Sequence, residues 1–375
     1  MSLQGTSPIF QEGLAGGGRI AYNKKEVGCL DRTSGGRRMK KKNRIAILTG
    51  GGDCPGINAV IRAVAKKAIL EYGMDVIGVE DGYEGLIHDR HRRLHYNDVS
   101  GILTLGGTIL GASKNSNPYR YGIQKGKTII FKDLSRKAIR TAKELDIDAL
   151  VCIGGDGTQG IAFHLLQDGI PVIGVPKTID NDLRGTDITF GFDTAVAIAA
   201  EAVDRIHSTA EAHHRVMIVE VMGHHAGWIA LYAGVAGGGD IILIPEIPYT
   251  IESVAAKVRE RNRKGRRFSI VVVAEGAKPK GGDVVIKKII KKSADPIRLG
   301  GIGFVLQEAI ERMTYIESRT VVLGHLQRGG SPTASDRILA TQLGAKAVDL
   351  IIHGDFGRMV SVQEGKITSV PLQVA

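Results

Sequence analysis

In the run from Ile170 to Asp182, IPVIGVPKTIDND, an apolar β-branched stretch is followed at once by a proline and then by Lys177, Thr178, Asp180, Asn181 and Asp182. The apolar part (Val172, Ile173, Val175) has the composition of a strand buried on both faces. Ligands of open α/β sheets sit just beyond the carboxyl ends of strands, so two carboxylates and a lysine at such an end point to acid/base or metal chemistry. The plain alternative for a lone DND tripeptide is a solvated turn held by Asx hydrogen bonds. Other segments of the chain weigh against it.

Gly50, Gly51 and Gly52 lie between a second apolar run and a helical pattern. Without a Cβ, backbone N–H groups there can approach a phosphate, and the dipole of the following helix favours negative charge. No Gly-Lys-Ser/Thr follows, so the loop is not a Walker sequence, nor is it a full dinucleotide fingerprint. A further loop, GGDGT at Gly154 to Thr158, sets Asp156 among glycines after another apolar run, where a carboxylate can hold Mg²⁺ against a polyphosphate. The same five letters occur in kinases acting on nucleotides and lipids, so they speak for the phosphoryl donor and leave the acceptor open. Arg215, the segment Met222 to His225, Glu275, Arg319, His325 and Arg328 recur at the ends of further apolar runs. Two arginines and a histidine at one pocket suit a sugar phosphate, because Arg meets phosphate oxygens in bidentate fashion.

The elements that must position these groups alternate. Strands are expected at Ile45 to Leu48, Asp75 to Val79, Ala149 to Ile153, Pro171 to Val175, Val216 to Val221, Ile241 to Ile244, Ser269 to Ala274 and Thr320 to Leu323. Helices are expected at Ile57 to Glu71 and from about Gly303 to Met313, and strand-helix alternation means one or two parallel, doubly wound sheets. Gly281 to Ser293, GGDVVIKKIIKKS, reads as a basic loop-like insertion whose four lysines form a solvated face. Trp228 falls in a helical pattern and is expected to pack.

The 375 residues are 43% hydrophobic and 24% charged, enough for a large core in two domains. No apolar run approaches the roughly 18 residues of a membrane span, and no secretory signal follows Met1. Cys29, Cys54 and Cys152 are odd in number and lack metal-ligand spacing, which fits a reducing, cytoplasmic compartment. The net charge is +11, but nine basic and three acidic residues place +6 of it in the first 42 positions, a Gly- and Ser-rich stretch read as a flexible basic tail. Only 5% of residues are aromatic, leaving few stacking platforms, so small phosphorylated substrates explain the charge better than nucleic acid.

Taken together, LTGGGDCPGIN, DGYEGL, GGT.LGAS, IGGDGT, PKTIDND, VMGHHAG and above all LGHLQRGGSPTASDR (Leu323 to Arg337) resemble the phosphofructokinase family from about Arg44 to the end, in the family's order. The resemblance implies two Rossmann-like doubly wound domains with the active site in the cleft between them: residues 43–191 plus 327–375 for ATP and Mg²⁺, and 192–326 for the sugar phosphate. It implies transfer of the γ-phosphoryl of ATP to the 1-hydroxyl of fructose 6-phosphate. Asp180 would be the general base, Asp156 would organise Mg²⁺, and Lys177, Thr178 and Asp182 would support the transferring group. Gly52, Tyr83, Lys114, Gly155, Gly157 and Thr158 match nucleotide- or phosphate-side positions. Arg215, Met222, Gly223, His224, Glu275, Arg319, His325 and Arg328 match the sugar-phosphate pocket, Arg215 and Arg319 reaching in from a neighbouring subunit of a homotetramer.

The chain departs from many bacterial relatives in carrying Lys114 and His224 where they have arginine. Lys66 and His207 likewise replace common arginines at effector positions, which leaves allosteric control open. Two residues bear on the donor. Gly157 leaves room for a nucleotide where pyrophosphate-using relatives usually carry Asp, whereas Lys177 resembles the lysine of those relatives. The balance favours ATP, with pyrophosphate the alternative and a catalytically silent regulatory subunit the reading from another class.

Overall fold

The computed structural model describes residues 43–114, 116–126, 128–289 and 297–375. The basic tail and the end of the lysine-rich insertion lie outside the described residues. The described residues form a single compact unit.

The chain opens with β1 (Arg44–Thr49), α1 (Ile57–Tyr72), β2 (Asp75–Val79), α2 (Tyr83–His88) and β3 (His91–Leu94). A small hairpin, β4 (Tyr121–Lys125) with β5 (Thr128–Lys132), leads into α3 (Ser135–Glu144), β6 (Ala149–Gly154), α4 (Asp156–Gln167) and β7 (Val172–Pro176). Next come α5 (Phe192–His213), β8 (Val216–Val221), α6 (Trp228–Ala236), β9 (Ile241–Leu243), α7 (Ile251–Arg263) and β10 (Ser269–Ala274). A second hairpin, β11 (Ile286–Ile289) with β12 (Ile297–Leu299), precedes α8 (Ile302–Thr314) and β13 (Ser318–Val322). The chain closes with α9 (Ala334–His353), β14 (Arg358–Gln363) and β15 (Lys366–Pro371).

Two principal sheets result. The larger has the order β15-β14-β7-β6-β1-β2-β3, and its five inner strands run parallel, with antiparallel β15 and β3 at the edges. The smaller, β13-β8-β10-β9, is wholly parallel. The strands recognisable from unbroken apolar runs are those buried along their whole length, β6, β7, β8 and β10 among them. One apolar cluster runs from Ile45, Ile47, Val151 and Ile173 through α1, α9 and α5 to Val219, Val272 and Ala274, so the two sheets share a continuous core.

In the larger sheet the chain leaves β1 towards β2 and later returns to β1's other flank as β6. That reversal leaves a crevice above the carboxyl ends of β1 and β6, where a doubly wound sheet binds its ligand.

Two expectations need correction. The insertion read as a loop pairs as a hairpin from Ile286, because its β-branched run satisfies a strand despite the lysines. The final strand of the smaller sheet begins at Ser318, two residues before the expected start. Trp228 packs as expected, opening α6 with its ring edge-on to Tyr232, although 42% of it stays exposed.

Candidate active site

A cavity of about 700 Å³ opens at the carboxyl ends of both sheets. From the larger sheet it is lined by the glycine loop after β1, by the Gly155 to Thr158 turn after β6, and by Lys177, Thr178, Asp180 and Asp182 after β7. The smaller sheet contributes Met222 and His224 after β8, Glu275 after β10, and His325 and Arg328 after β13.

The two glycine loops are built around one side chain. Thr158, 5% exposed, lies so close to Gly50 that a Cβ there would come within 2.5 Å of its hydroxyl, and a Cβ on Gly154 would overlap it still more. The glycines therefore admit the threonine and bring both loops together. Gly51 N donates to Ser113 O at 3.3 Å, tying the segment that carries Lys114 to the same loop. Arg328, from the far end of the chain, crosses over Gly52, where a Cβ would overlap its guanidinium. Tyr83 stands behind this arrangement, 2% exposed, and donates to Thr158 O at 2.8 Å; it braces the turn and does not line the cavity.

The DND tripeptide is not held by the anticipated Asx turn: the local side-chain turn is made by Thr178, whose Oγ1 accepts from Asp180 N, and Asn181 instead reaches across the loop. Asn181 adopts left-handed backbone (φ 51°), and its Oδ1 accepts from Thr189 N at 2.9 Å. The flanking aspartates are released to the cavity. Asp180 N donates to Thr178 Oγ1 at 3.0 Å, while Asp180 Oδ1 has no hydrogen-bond partner among the described residues. Burial pushes the Asp180 carboxyl up to about 6; the charge of Asp182 adds to this, and Arg328 and Lys177 oppose it. Burial likewise raises Asp182, with Asp156 contributing, so Asp182 and Asp156 feel each other across the larger sheet's side of the cavity.

Lys177 is 5% exposed, and its Nζ donates to Gly52 O. Burial lowers its pKa, and this tether makes it a clamp on the glycine loop after β1. Asp156 heads α4, exposed, its Oδ1 accepting from Gly157 N at 2.7 Å. Among the described residues no group of three or more His, Cys, Asp or Glu could hold a metal ion. Mg²⁺ needs no such cage, since it is commonly held by one or two carboxylates plus phosphate oxygens, and Asp156 and Asp182, which both line the cavity, fit that donor set.

On the opposite wall Glu275 Oε1 accepts from His224 N at 3.2 Å, and Met222 N donates to Gln327 Oε1 at 2.8 Å. Burial raises the Glu275 carboxyl to about 7, with the charges of Asp180 and Glu220 adding. Burial lowers His325, and Arg328 and Lys114 lower it further. Gly223 lies in the loop between Met222 and His224 with φ 143°, packed under Ala226 O.

Arg215 and Arg319 are not brought to this cavity. Both stand at the amino ends of β8 and β13, the edge away from the cavity, and both pair with Glu317. Sequence reading missed Glu220, 2% exposed, which accepts from Gly301 N and Gly303 N at 2.8 Å each and fixes the start of α8 at the cavity wall. A charged residue inside the apolar run VMIVEV was its signal. It also missed Lys287 and Lys288, which line the cavity from β11.

The family model described as Phosphofructokinase matches residues 44–351. The ATP-dependent 6-phosphofructokinase 2 of Clostridium perfringens is 53% identical over 338 residues, 89% of this chain and 92% of that protein. A pyrophosphate--fructose 6-phosphate 1-phosphotransferase of Amycolatopsis mediterranei is 51% identical over 335 residues, 88% of this chain and 94% of that one. Among solved structures, the phosphofructokinase of Saccharomyces cerevisiae superposes with a TM-score of 0.74 at 32% identity, covering 88% of this chain and 45% of the yeast chain. Among the described residues no helix is long and apolar enough to cross a membrane. With the motifs in order, two glycine loops facing a basic wall, and half-identity to relatives over nearly its whole folded length, this chain belongs to the phosphofructokinase family.

Proposed function

We propose that the protein is a cytoplasmic 6-phosphofructokinase that transfers the γ-phosphoryl of ATP to the 1-hydroxyl of fructose 6-phosphate. The observation that carries this reading is Asp180, a partly buried carboxylate raised to about 6 and lacking a partner on Oδ1, set between a glycine-loop wall and a basic wall of one cavity. A base of that pKa is ionised at neutral pH and still basic enough to accept a proton.

Fructose 6-phosphate lies with its phosphate towards His325 and Arg328, Glu275 and the Met222 to His224 loop holding the sugar. Asp180 takes the proton of the 1-hydroxyl as that oxygen bonds to the γ-phosphorus. The bond from phosphorus to the bridging oxygen breaks, ADP departs, and the proton passes from Asp180 to solvent. The amino end of α4 and the glycine loop clamped by Lys177 hold the donor phosphates, with Thr178 beside the transferring group. Mg²⁺, when bound by Asp156 and Asp182, offsets charge on the polyphosphate. Residues 43–191 with 327–375 form the donor half and 192–326 the acceptor half, with Arg328, just past that boundary, lining the cavity they share. Arg215 and Arg319 serve a neighbouring copy's pocket in a homotetramer, a reading supported by their standing away from their own.

ATP is favoured because a Cβ at Gly157 would meet nothing within 4 Å, leaving open space at the amino end of α4. Lys177, the residue that resembles pyrophosphate enzymes, is tethered to Gly52 O and does not discriminate. The relative named for pyrophosphate at 51% identity keeps that donor as the second reading. Incubation with fructose 6-phosphate and MgATP, followed by ³¹P NMR, should give fructose 1,6-bisphosphate and ADP; hydrolysis of ATP without a bisphosphate product would refute the assignment.

A further inference from the structure

The β11–β12 hairpin lies outside every motif that carries the family resemblance, yet it delivers two lysines to the cavity. Successive residues of a regular strand point to opposite faces, so adjacent lysines should not both reach one pocket. Here the register breaks. Ile286 stands opposite Leu299, but the next pair is Lys288 with Arg298, so β11 carries one extra residue at Lys287. A bulge of this kind re-aims side chains, which lets Lys287 and Lys288 line the same space.

The base of the hairpin is anchored. Glu220 accepts from Gly301 N and Gly303 N, and the Lys287 side chain passes over Gly300, its Cδ within 3.7 Å of where a Cβ of that glycine would stand. Lys287 is close enough to His325 to help lower its pKa, together with Arg328 and Lys114. Lys287 and Lys288 are exposed at the cavity, and among the described residues neither has an ion-pair partner. Positive charge converging on the His325 imidazole is mutually repulsive, and a bound dianion relieves that repulsion. The neighbours of Lys287, namely Glu220, Gly300 and His325, belong to the smaller sheet's side, the side given above to the sugar phosphate.

We propose that Lys287 is a specificity-determining residue of the acceptor pocket, holding the phosphate monoester of the sugar beside His325 and Arg328. The assignment rests on the function proposed above. Losing one charge-assisted contact of this kind weakens binding by roughly tenfold or more.

The test is steady-state kinetics of wild type, Lys287→Gln and Lys287→Arg, varying fructose 6-phosphate and the donor separately at fixed ionic strength, with thermal melts as a folding control. Lys287→Gln should raise KM for fructose 6-phosphate about tenfold while leaving kcat and the donor KM within about twofold, and Lys287→Arg should recover most of the loss. A sugar KM that moves less than about twofold in Lys287→Gln, or a rise confined to the donor KM, overturns the assignment alone. A wild-type enzyme that fails to phosphorylate fructose 6-phosphate overturns the proposed function and this assignment with it.

Discussion

Replacing Asp180 by Asn should abolish most turnover and at the same time stabilise the fold. The carboxyl moves from an ordinary 3.8 to about 6 on folding, chiefly through burial. At 1.36 kcal/mol per unit this is about 3 kcal/mol, and screening at the partly exposed carboxylate reduces it to about 1–2 kcal/mol. The native state holds this proton more tightly than the unfolded chain does. The cost is therefore absent below about pH 4, grows as pH rises through the folded value near 6, and is complete at pH 7.5. For a body of about 330 residues the unfolding entropy is about 0.7 kcal/mol/K, so Asp180→Asn should melt roughly 2 °C higher at pH 7.5 and no higher at pH 4. Turnover should fall by ~10² to 10⁴, about 3–5 kcal/mol of barrier, with the KM for the sugar little changed. Coupled turnover assays and melts at the two pH values, at one protein concentration, measure both effects. Near wild-type turnover, or a lower Tm at pH 7.5, would refute the assignment of Asp180 as a buried base.

In wild type, kcat/KM should climb with pH through about 6 as Asp180 ionises, and Glu275→Gln should leave that limb in place; a limb displaced by more than a unit in that variant would assign it to Glu275 instead. Gly157→Asp should fold at least as stably as wild type, since its Cβ meets open space and an acid is welcome in the first turn of α4. A carboxylate about 4 Å from a donor phosphate opposes it by up to ~4 kcal/mol at an effective dielectric of 20, so kcat/KM for ATP should fall by ~10² to 10³ and that for pyrophosphate much less, as donor-varied kinetics would reveal. Asp336→Ala, which leaves Gly191 N and Thr194 N without their acceptor at the start of α5, should cost about 2–4 kcal/mol in denaturant titration; a loss under about 0.5 kcal/mol would mean the buried carboxylate is dispensable.

How far the sequence carries can be read from particular residues. β6, β7, β8 and β10 were legible because burial on both faces forces unbroken apolar runs. β3, with the sequence HRRL, and β15 were not, because edge strands face solvent and carry charge. The groups after β1, β6 and β7 were legible since each motif follows its own strand and the sheet gathers carboxyl ends. Glu220 and Asp336 escaped notice because their partners lie 81 and 145 residues away, and only tertiary folding brings them together. Lys287 escaped for a different reason: a bulge breaks the two-residue period by which a strand's faces are read.

The most direct test of the account is the ratio of kcat/KM for MgATP to that for magnesium pyrophosphate, measured on wild-type enzyme at saturating fructose 6-phosphate. An ATP-using phosphofructokinase with open space at Gly157 should favour ATP by at least about tenfold, that is by about 1.4 kcal/mol or more in transition-state stabilisation. A preference for pyrophosphate would contradict the donor assignment, and no transfer to fructose 6-phosphate from either donor would contradict the catalytic role given to Asp180.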